Sequence, residues 1–520
     1  MKYKYIAPLM VLPFLAGCDY GPNADHKAGN HESNDHGSGV HKSVGHNNDR
    51  HNSNNHMNEH QTLDEQLRQV ISNNALTGTP FNDSASLPLI TDEKATLGKR
   101  LFFSKTLAGA RDSACASCHH PMLGGGDDLS LPIGGDAINP DLLGPSRLHA
   151  PTAEGFDNGP TVPRNAPTTF NIAAWQNVLF HDGRVTQLEG GISTPDSGFG
   201  VTDALAGSNL VQAQSRFPVT SPEEMKGFAH HSYDNQGIRD LLAGRLGGYG
   251  DEANTLIDTT YWLTQFQSAF DRPDATAEEV ITEQNISIAI GEYERSQVFI
   301  NTPWKAYIDG NNAAISRNVK EGALLFFGEA RCSSCHSGDF FTDEQFHNIA
   351  APQIGRGKGH GDGSEDFGRS EITGNGAEIY KFRTPTLLNV EETGPWTHAG
   401  AYTTLEAVVR HHLNPQTALD EYDFAQLAQS GIQNLDVMKA NTQKAVDALE
   451  AERIQGGTAV LQNVELTDAQ VSQIVDFLKA LTDPCVQNRD CMAPWIADEV
   501  EDVDPNADLL IAVDQNGVKL

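Results

Sequence analysis

The chain has 520 residues, enough for two or more domains, and 38% of them are hydrophobic, enough to build cores. Its 69 acidic side chains outnumber 36 basic ones, for a formal charge of −33. That balance excludes a basic nucleic-acid face or attraction to an anionic lipid surface, and it suits a cationic protein partner or a saline habitat.

Lys2 and Lys4 precede an apolar run from Ile6 to Leu15, closed by Leu15-Ala16-Gly17-Cys18. The run is too short to span a bilayer. Residues 1–18 resemble a bacterial lipoprotein signal, with Cys18 lipidated and holding the mature chain on a membrane. Export with cleavage nearby and loss of Cys18 is the alternative. Residues 19–61 hold almost no large apolar side chains and read as a disordered tether. Within them His26, His31, His36, His41, His46, His51 and His56 recur every five residues, and His60 follows. A period of five makes no stripe on a helix or strand. The tract is either a soluble spacer or a weak, multi-site trap for Cu, Zn or Ni.

The folded part begins near Thr62, which with Glu65 has the spacing of a capping box, followed by an apolar face of Leu63, Leu67, Val70 and Ile71. A second helix is predicted over 91–103, with Leu97, Leu101 and Phe102 inward. Gly- and Pro-rich loops follow to about residue 168. Helical periodicity returns over 256–271 and strongly over 277–300, where Glu278, Glu279 and Glu283 enrich the start and Arg295 lies near the end, as the helix dipole favours. Further helices are predicted over 319–327, 436–452 and 467–481. No alternating strand pattern of any length competes, so the fold class is mainly α.

Just after the second helix stands Cys115-Ala-Ser-Cys118-His119, and after the 319–327 helix stands Cys332-Ser-Ser-Cys335-His336. C-x-x-C-H is the covalent haem attachment signature: the thiols add to the haem vinyl groups and the histidine ligates the iron. With seven cysteines and twenty histidines in the chain, chance supplies roughly 0.004 such pentapeptides. A zinc ribbon would place its two pairs about 15–20 residues apart, not two hundred. The reading is two covalently bound haem c groups. The approaches "LGKRLFF" and "EGALLFF" look like two copies of one design, giving two cytochrome c-like haem domains with long loops, 62–275 and 276–484. Cys485 and Cys491 are left over. Six apart in an oxidising compartment, they make a small disulfide loop, with two free thiols the alternative. Residues 485–520 then form that loop and an acidic tail, solvated over 498–506.

At this point the residues resemble the bacterial diheme cytochrome c peroxidases, a family that includes MauG-like enzymes. The matching segments are Leu97 to Phe103, the two attachment motifs, Arg164-Asn-Ala-Pro-Thr168, His181-Asp-Gly-Arg184, Pro222-Glu-Glu-Met225, Phe382-Arg-Thr-Pro-Thr386 and Gly394-Pro-Trp-Thr-His-Ala-Gly400 with Thr404-Leu-Glu406. The resemblance implies a peroxide-reacting N-terminal haem and a C-terminal haem that receives electrons from a small donor, a cytochrome c or cupredoxin, in the periplasm. It places Glu224 as the acid that moves a proton between the peroxide oxygens. It also implies a calcium ion held by Asn165, Thr393 and Pro395, and a homodimer is compatible with it. Arg164, Asp182 and Arg184 are expected to pair with one another or with haem propionates.

Departures from the family are informative. Some members close the peroxidatic iron with a histidine about sixteen residues past the first motif. Here Leu131 to Asp136 has none, so an open first haem is expected, with His149 the residue that would spoil this and His120 too close to the proximal ligand to do so. The family's tryptophan before Asp-Gly-Arg is His181 here, a poor site for a hole, with Trp175 the nearest substitute. A distal glutamine of the family aligns with Gly191. The second haem's distal ligand, Met in peroxidases and Tyr in MauG-like enzymes, falls on His412, preceded by His411. The function expected is therefore a diheme peroxidase reducing hydrogen peroxide to water. The alternatives are a MauG-like oxidase that oxidises aromatic residues of a partner, and a plain electron carrier.

Overall fold

The computed structural model describes residues 61–151, 159–361, 363–456 and 460–520. The signal, Cys18 and the histidine tract lie outside the described residues. Among the described residues helices are the main regular structure, and the strands are few and short. No helix among them is long and apolar enough to cross a membrane.

The predicted helices form where the caps place them. Leu63–Asn73 starts at Thr62, whose hydroxyl accepts from the Glu65 N–H while the Glu65 carboxylate accepts from the Thr62 N–H. Glu93–Phe102, Thr260–Ala269, Arg317–Phe327, Met438–Ile454 and Asp468–Lys479 follow the periodicity within a few residues. The long helix expected over 277–300 is two: Ala277–Val280 ends at Ile281, and Thr282 caps a new helix, Glu283–Arg295, by accepting from the Asn285 N–H. Helices Leu210–Ser215, Asn235–Gly247 and Leu405–Leu413 were not foreseen, nor was a small antiparallel sheet of Val178–Leu179, Val185–Leu188 and Gly191–Ser193.

Two apolar cores carry these elements, and each is built on one close helix crossing. Glu93–Phe102 meets Glu283–Arg295 at Gly98, where a Cβ would run into the Ala289 carbonyl and come within 2.8 Å of the Tyr293 Cβ. Arg317–Phe327 meets Asp468–Lys479 at Gly322, where a Cβ would strike the Gln473 carbonyl. Gly98 and Gly322 occupy the same place in the two "GxxLFF" approaches, so the repeat seen in the sequence is a repeat of backbone contact.

Packing crosses the expected 275/276 division. Glu283–Arg295 supplies Ile286, Ala289, Ile290 and Tyr293 to the first core, while Leu67 and Ile71 of the N-terminal helix join the second. The acidic C-terminal stretch is also not simply solvated. Asp502, 3% exposed, pairs with Lys99 (2.9 Å) and Arg100 (3.0 Å). Asp508, 5% exposed, accepts from Thr106 (2.8 Å) and Arg111, and Leu510 and Ala512 enter the first core. Cys485 and Cys491 are disulfide-bonded.

Candidate active site

Both attachment motifs are single 3-10 turns that present their histidine identically. In the first, the Cys118 and His119 N–H groups donate to the Cys115 carbonyl (3.2 and 3.0 Å), and Ser117 Oγ accepts from Ala114. His119 Nδ1–H donates to the Gly125 carbonyl (3.1 Å), and His336 Nδ1–H to the Phe341 carbonyl (3.0 Å). Each ring is thereby left with its Nε2 lone pair free for a metal, its orientation fixed by the other nitrogen. Burial pushes the Cys115 and Cys118 thiols well above their usual range and Cys332 up to about 12, the opposite of an activated redox dithiol.

Each motif opens into its own cavity. The first, about 1440 Å³ with its mouth included, is lined by Cys115, Cys118 and His119; the second, about 1960 Å³, by Cys332, Cys335 and His336. Arg383 lines both, is buried, and its Nη1 has no partner, an orphaned donor of the kind a haem propionate would satisfy. The residues present therefore fit a c-type haem at each motif.

In the second cavity His412 faces His336, ring centroids 6.4 Å apart. Two imidazole–metal bonds of about 2 Å each, plus the distance from each ring nitrogen to its ring centre, span that gap. His412 Nδ1–H donates to the Val408 carbonyl (2.8 Å), which turns Nε2 away from its own helix. His411 is diverted: its Nε2–H donates to the Ile349 carbonyl (2.8 Å), and its Nδ1 accepts from the Tyr402 hydroxyl (2.9 Å). Of the two neighbouring histidines, His412 lines the cavity. Burial lowers His336 to about 4 and His411 to about 3, and it lowers His412 too, so all three rings are neutral.

The first cavity is different. Among the described residues, its lining histidines are His119 and His181. His181 is occupied, its Nε2–H donated to the Asn165 carbonyl (3.0 Å). His120 is buried beside Phe103 and accepts from the Met122 N–H (3.2 Å), and His149 sits against the Ala150 carbonyl (3.3 Å); neither lines the cavity. The histidine-free loop 131–136 is held in place. Arg147 donates to the Ile133 and Gly134 carbonyls (2.7 and 2.8 Å), and the Gly135 N–H donates to the Glu224 carbonyl (2.9 Å). Gly134 lies so close to the Glu223–Glu224 backbone that a Cβ would come within 2.7 Å of the Glu224 Cα.

Glu224 lines this cavity from the turn Pro222–Lys226, and burial raises its carboxyl above the ordinary range against the opposing pull of Arg184. The expected ion pairing is present. Arg164 binds Asp366 through two nitrogens (2.6 and 2.7 Å) and also pairs with Asp182, which Arg184 contacts at 3.0 Å. Asn165, Thr393 and Pro395 all line the second cavity, and the Asn165 amide donates to the Leu129 carbonyl (2.9 Å).

Sequence reasoning missed Glu294 and Gln214. Glu294 lies four residues beyond Ile290 on the inward face of its helix, lines the first cavity, leaves Oε2 without a partner, and is pushed up to about 8 by burial. A carboxylate on an apolar stripe was the available signal. Gln214 lines the same cavity with its Oε1 unpartnered, whereas Gly191, where the glutamine was expected, sits in the small sheet.

The family model for di-haem cytochrome c peroxidase matches residues 92–313. The methylamine utilization protein MauG of Methylorubrum extorquens is 30% identical over 327 residues, covering 62% of this chain and 69% of that protein. A cytochrome-c peroxidase of Denitromonas iodatirespirans is 26% identical over 381 residues, covering 67% and 84%. The crystal structure of a MauG-like protein associated with microbial copper homeostasis superimposes with a TM-score of 0.52 at 21% identity, covering 81% of this chain and 97% of the other; it shares the fold.

Proposed function

The chain belongs to the diheme cytochrome c peroxidase and MauG family of oxidoreductases, whose members carry two c-type haems, and from that premise we propose that it reduces hydrogen peroxide to water at the first site with electrons received at the second. The observation that carries this reading is the asymmetry of the two cavities: His412 stands opposite His336, whereas no second free histidine among the described residues faces His119. A haem bound in each would supply the one-electron redox chemistry.

Glu224 takes the proton from one peroxide oxygen and returns it to the other, so that water leaves in place of hydroxide. With two electrons and two protons, one peroxide becomes two waters. Arg184, Arg164 and Lys358, which line the same cavity, balance negative charge there. His336 and His412 hold the second site closed to small molecules, so that it exchanges electrons alone with a cytochrome c or cupredoxin.

The same reading assigns 62–275 and 276–484 to the peroxide-reacting and electron-receiving units, with the helix exchanges described above, and calcium to Asn165, Thr393 and Pro395. It places the protein in the periplasm, lipid-anchored through Cys18; the Cys485–Cys491 disulfide supports an oxidising compartment.

A second reading, a MauG-like oxidase of a partner's aromatic residue, is favoured by the histidine pair, because imidazole lowers the potential of the second haem relative to thioether. Adding hydrogen peroxide to the fully oxidised protein, with and without reduced small cytochrome c, separates the two. Rapid donor oxidation supports the peroxidase. A long-lived oxidised state that the cytochrome barely quenches supports the oxidase.

A further inference from the structure

Ile290 and Glu294, one turn apart on Glu283–Arg295, bring that helix to the wall of the first cavity. Glu294 is 5% exposed, its Oε2 has no partner, and burial pushes its carboxyl up to about 8. The elements packed on this helix bring it no counter-charge. Glu93–Phe102 presents Leu97, Leu101 and Phe102, while its Lys99 and Arg100 are turned to Asp502. Leu210–Ser215 presents Ser215, whose hydroxyl donates to the Ser287 carbonyl (3.2 Å). Arg239 and Arg245 of Asn235–Gly247 are held by Asp196 and Glu252, and Arg295 by Glu292. The charged groups that share the cavity lining with Glu294 are Glu223, Glu224, Arg164, Arg184, Lys358 and Arg383. Burial raises the Cys115 thiol most, and Glu294, ahead of Glu224, adds to it. Glu294 therefore stands beside the thioether edge of a haem bound at the first motif.

We propose that Glu294 is the redox-linked proton site of the first haem: its carboxyl takes up a proton as an electron arrives there and gives it up as the electron leaves. The proposal rests on the peroxide-reducing reading above, in which each peroxide consumes two electrons and two protons. A ferric haem carries one more positive charge than a ferrous one, and that charge favours the carboxylate. Its loss on reduction restores the protonated form that burial favours. A unit charge roughly 10 Å away, at an effective dielectric of about 20, changes a proton affinity by about tenfold. The electron comes from the second site, the proton comes from and returns to water, and the bond made and broken is the carboxyl O–H. Matching an electron with a proton keeps the charge of the buried site constant, so a second electron does not enter against the first.

The test uses the full-length, haem-loaded protein and infrared difference spectra, reduced minus oxidised, at the potential of the first haem. A carboxylic acid C=O band is expected to appear on reduction and to shift in heavy water. Glu294→Gln should remove that band and Glu224→Gln should keep it. The potential of the first haem should fall as pH rises from about 5 to about 9, since reduction carries a proton with it, and Glu294→Gln should lose at least about half of that slope. Should Glu294→Gln not fold or not load haem, Glu294→Asp takes its place, and the band is then expected to move in frequency. A difference spectrum without the band, or a band that neither Glu294 substitution alters, overturns the proposal. Neither measurement uses peroxide, so a protein that shows the band yet ignores peroxide overturns the peroxide-reducing reading instead.

Discussion

His412 faces His336 across the second cavity at 6.4 Å between ring centres, while its neighbour His411 is bound on both nitrogens by Tyr402 and the Ile349 carbonyl. The two residues differ in what their nitrogens have left to offer, and this separates them where adjacency in sequence does not. His412→Ala is expected to convert the second haem's low-spin spectrum to high-spin, and His412→Met to raise its reduction potential. His411→Ala should leave the low-spin bands in place. Spectra of the oxidised variants decide it, and an unchanged spectrum in His412→Ala would remove His412 as ligand.

Glu224 is the one carboxyl on the Pro222–Lys226 turn assigned to proton movement. Glu224→Gln is expected to cut peroxide turnover by about 10²–10⁴-fold, the usual worth of a positioned acid–base group. Because the group must first accept a proton, activity should fall as pH drops through its pKa. Burial holds that pKa above the ordinary value of 4.5. The acidic limb of the pH–rate profile should disappear in the variant.

Glu294 bears on stability. Its carboxyl is held up to about 8 by burial, against 4.5 when exposed, so the folded protein binds the extra proton. Its contribution is fully present below about pH 4.5 and is lost as pH rises toward 8, at up to about 1.4 kcal/mol per pH unit. Glu294→Gln, which cannot ionise, should flatten the fall in melting temperature across that window. An identical pH dependence in both proteins would contradict the assignment.

Gly98 and Gly322 should each resist substitution. A methyl group at either meets a carbonyl of the crossing helix, so Gly98→Ala and Gly322→Ala are expected to cost about 1–3 kcal/mol despite alanine's better helix propensity. Gly376 has open space around it, and Gly376→Ala is the control expected to leave the melting temperature nearly unchanged.

The attachment motifs and the capped amphipathic helices were legible because each is a local pattern with a local cause. Asn235–Gly247 was not. It buries Arg239 and Arg245 beside Ile238, Leu242 and Leu246, so it shows no clean apolar stripe. Its arginines are satisfied far away in sequence, Arg245 by the Thr106 and Ala108 carbonyls and Arg239 by Asp196. The same holds for Asp502 and Asp508, which read as a solvated acidic run until Lys99, Arg100 and Arg111 are brought to them. The strands are two to four residues long, too short for alternation to register. At the site, the first-cavity residues Gln214, Glu294 and Trp175 converge from three separate segments, and no spacing rule connects them.

One measurement bears most directly on the claim that one site is open and the other closed: the electron paramagnetic resonance spectrum of the fully oxidised, haem-loaded protein before any reduction. One high-spin ferric signal from the His119 site and one low-spin signal from the His336 site are expected, in equal amounts, with peroxide perturbing the high-spin signal first. Two low-spin signals, with the high-spin form appearing only after partial reduction, would contradict it.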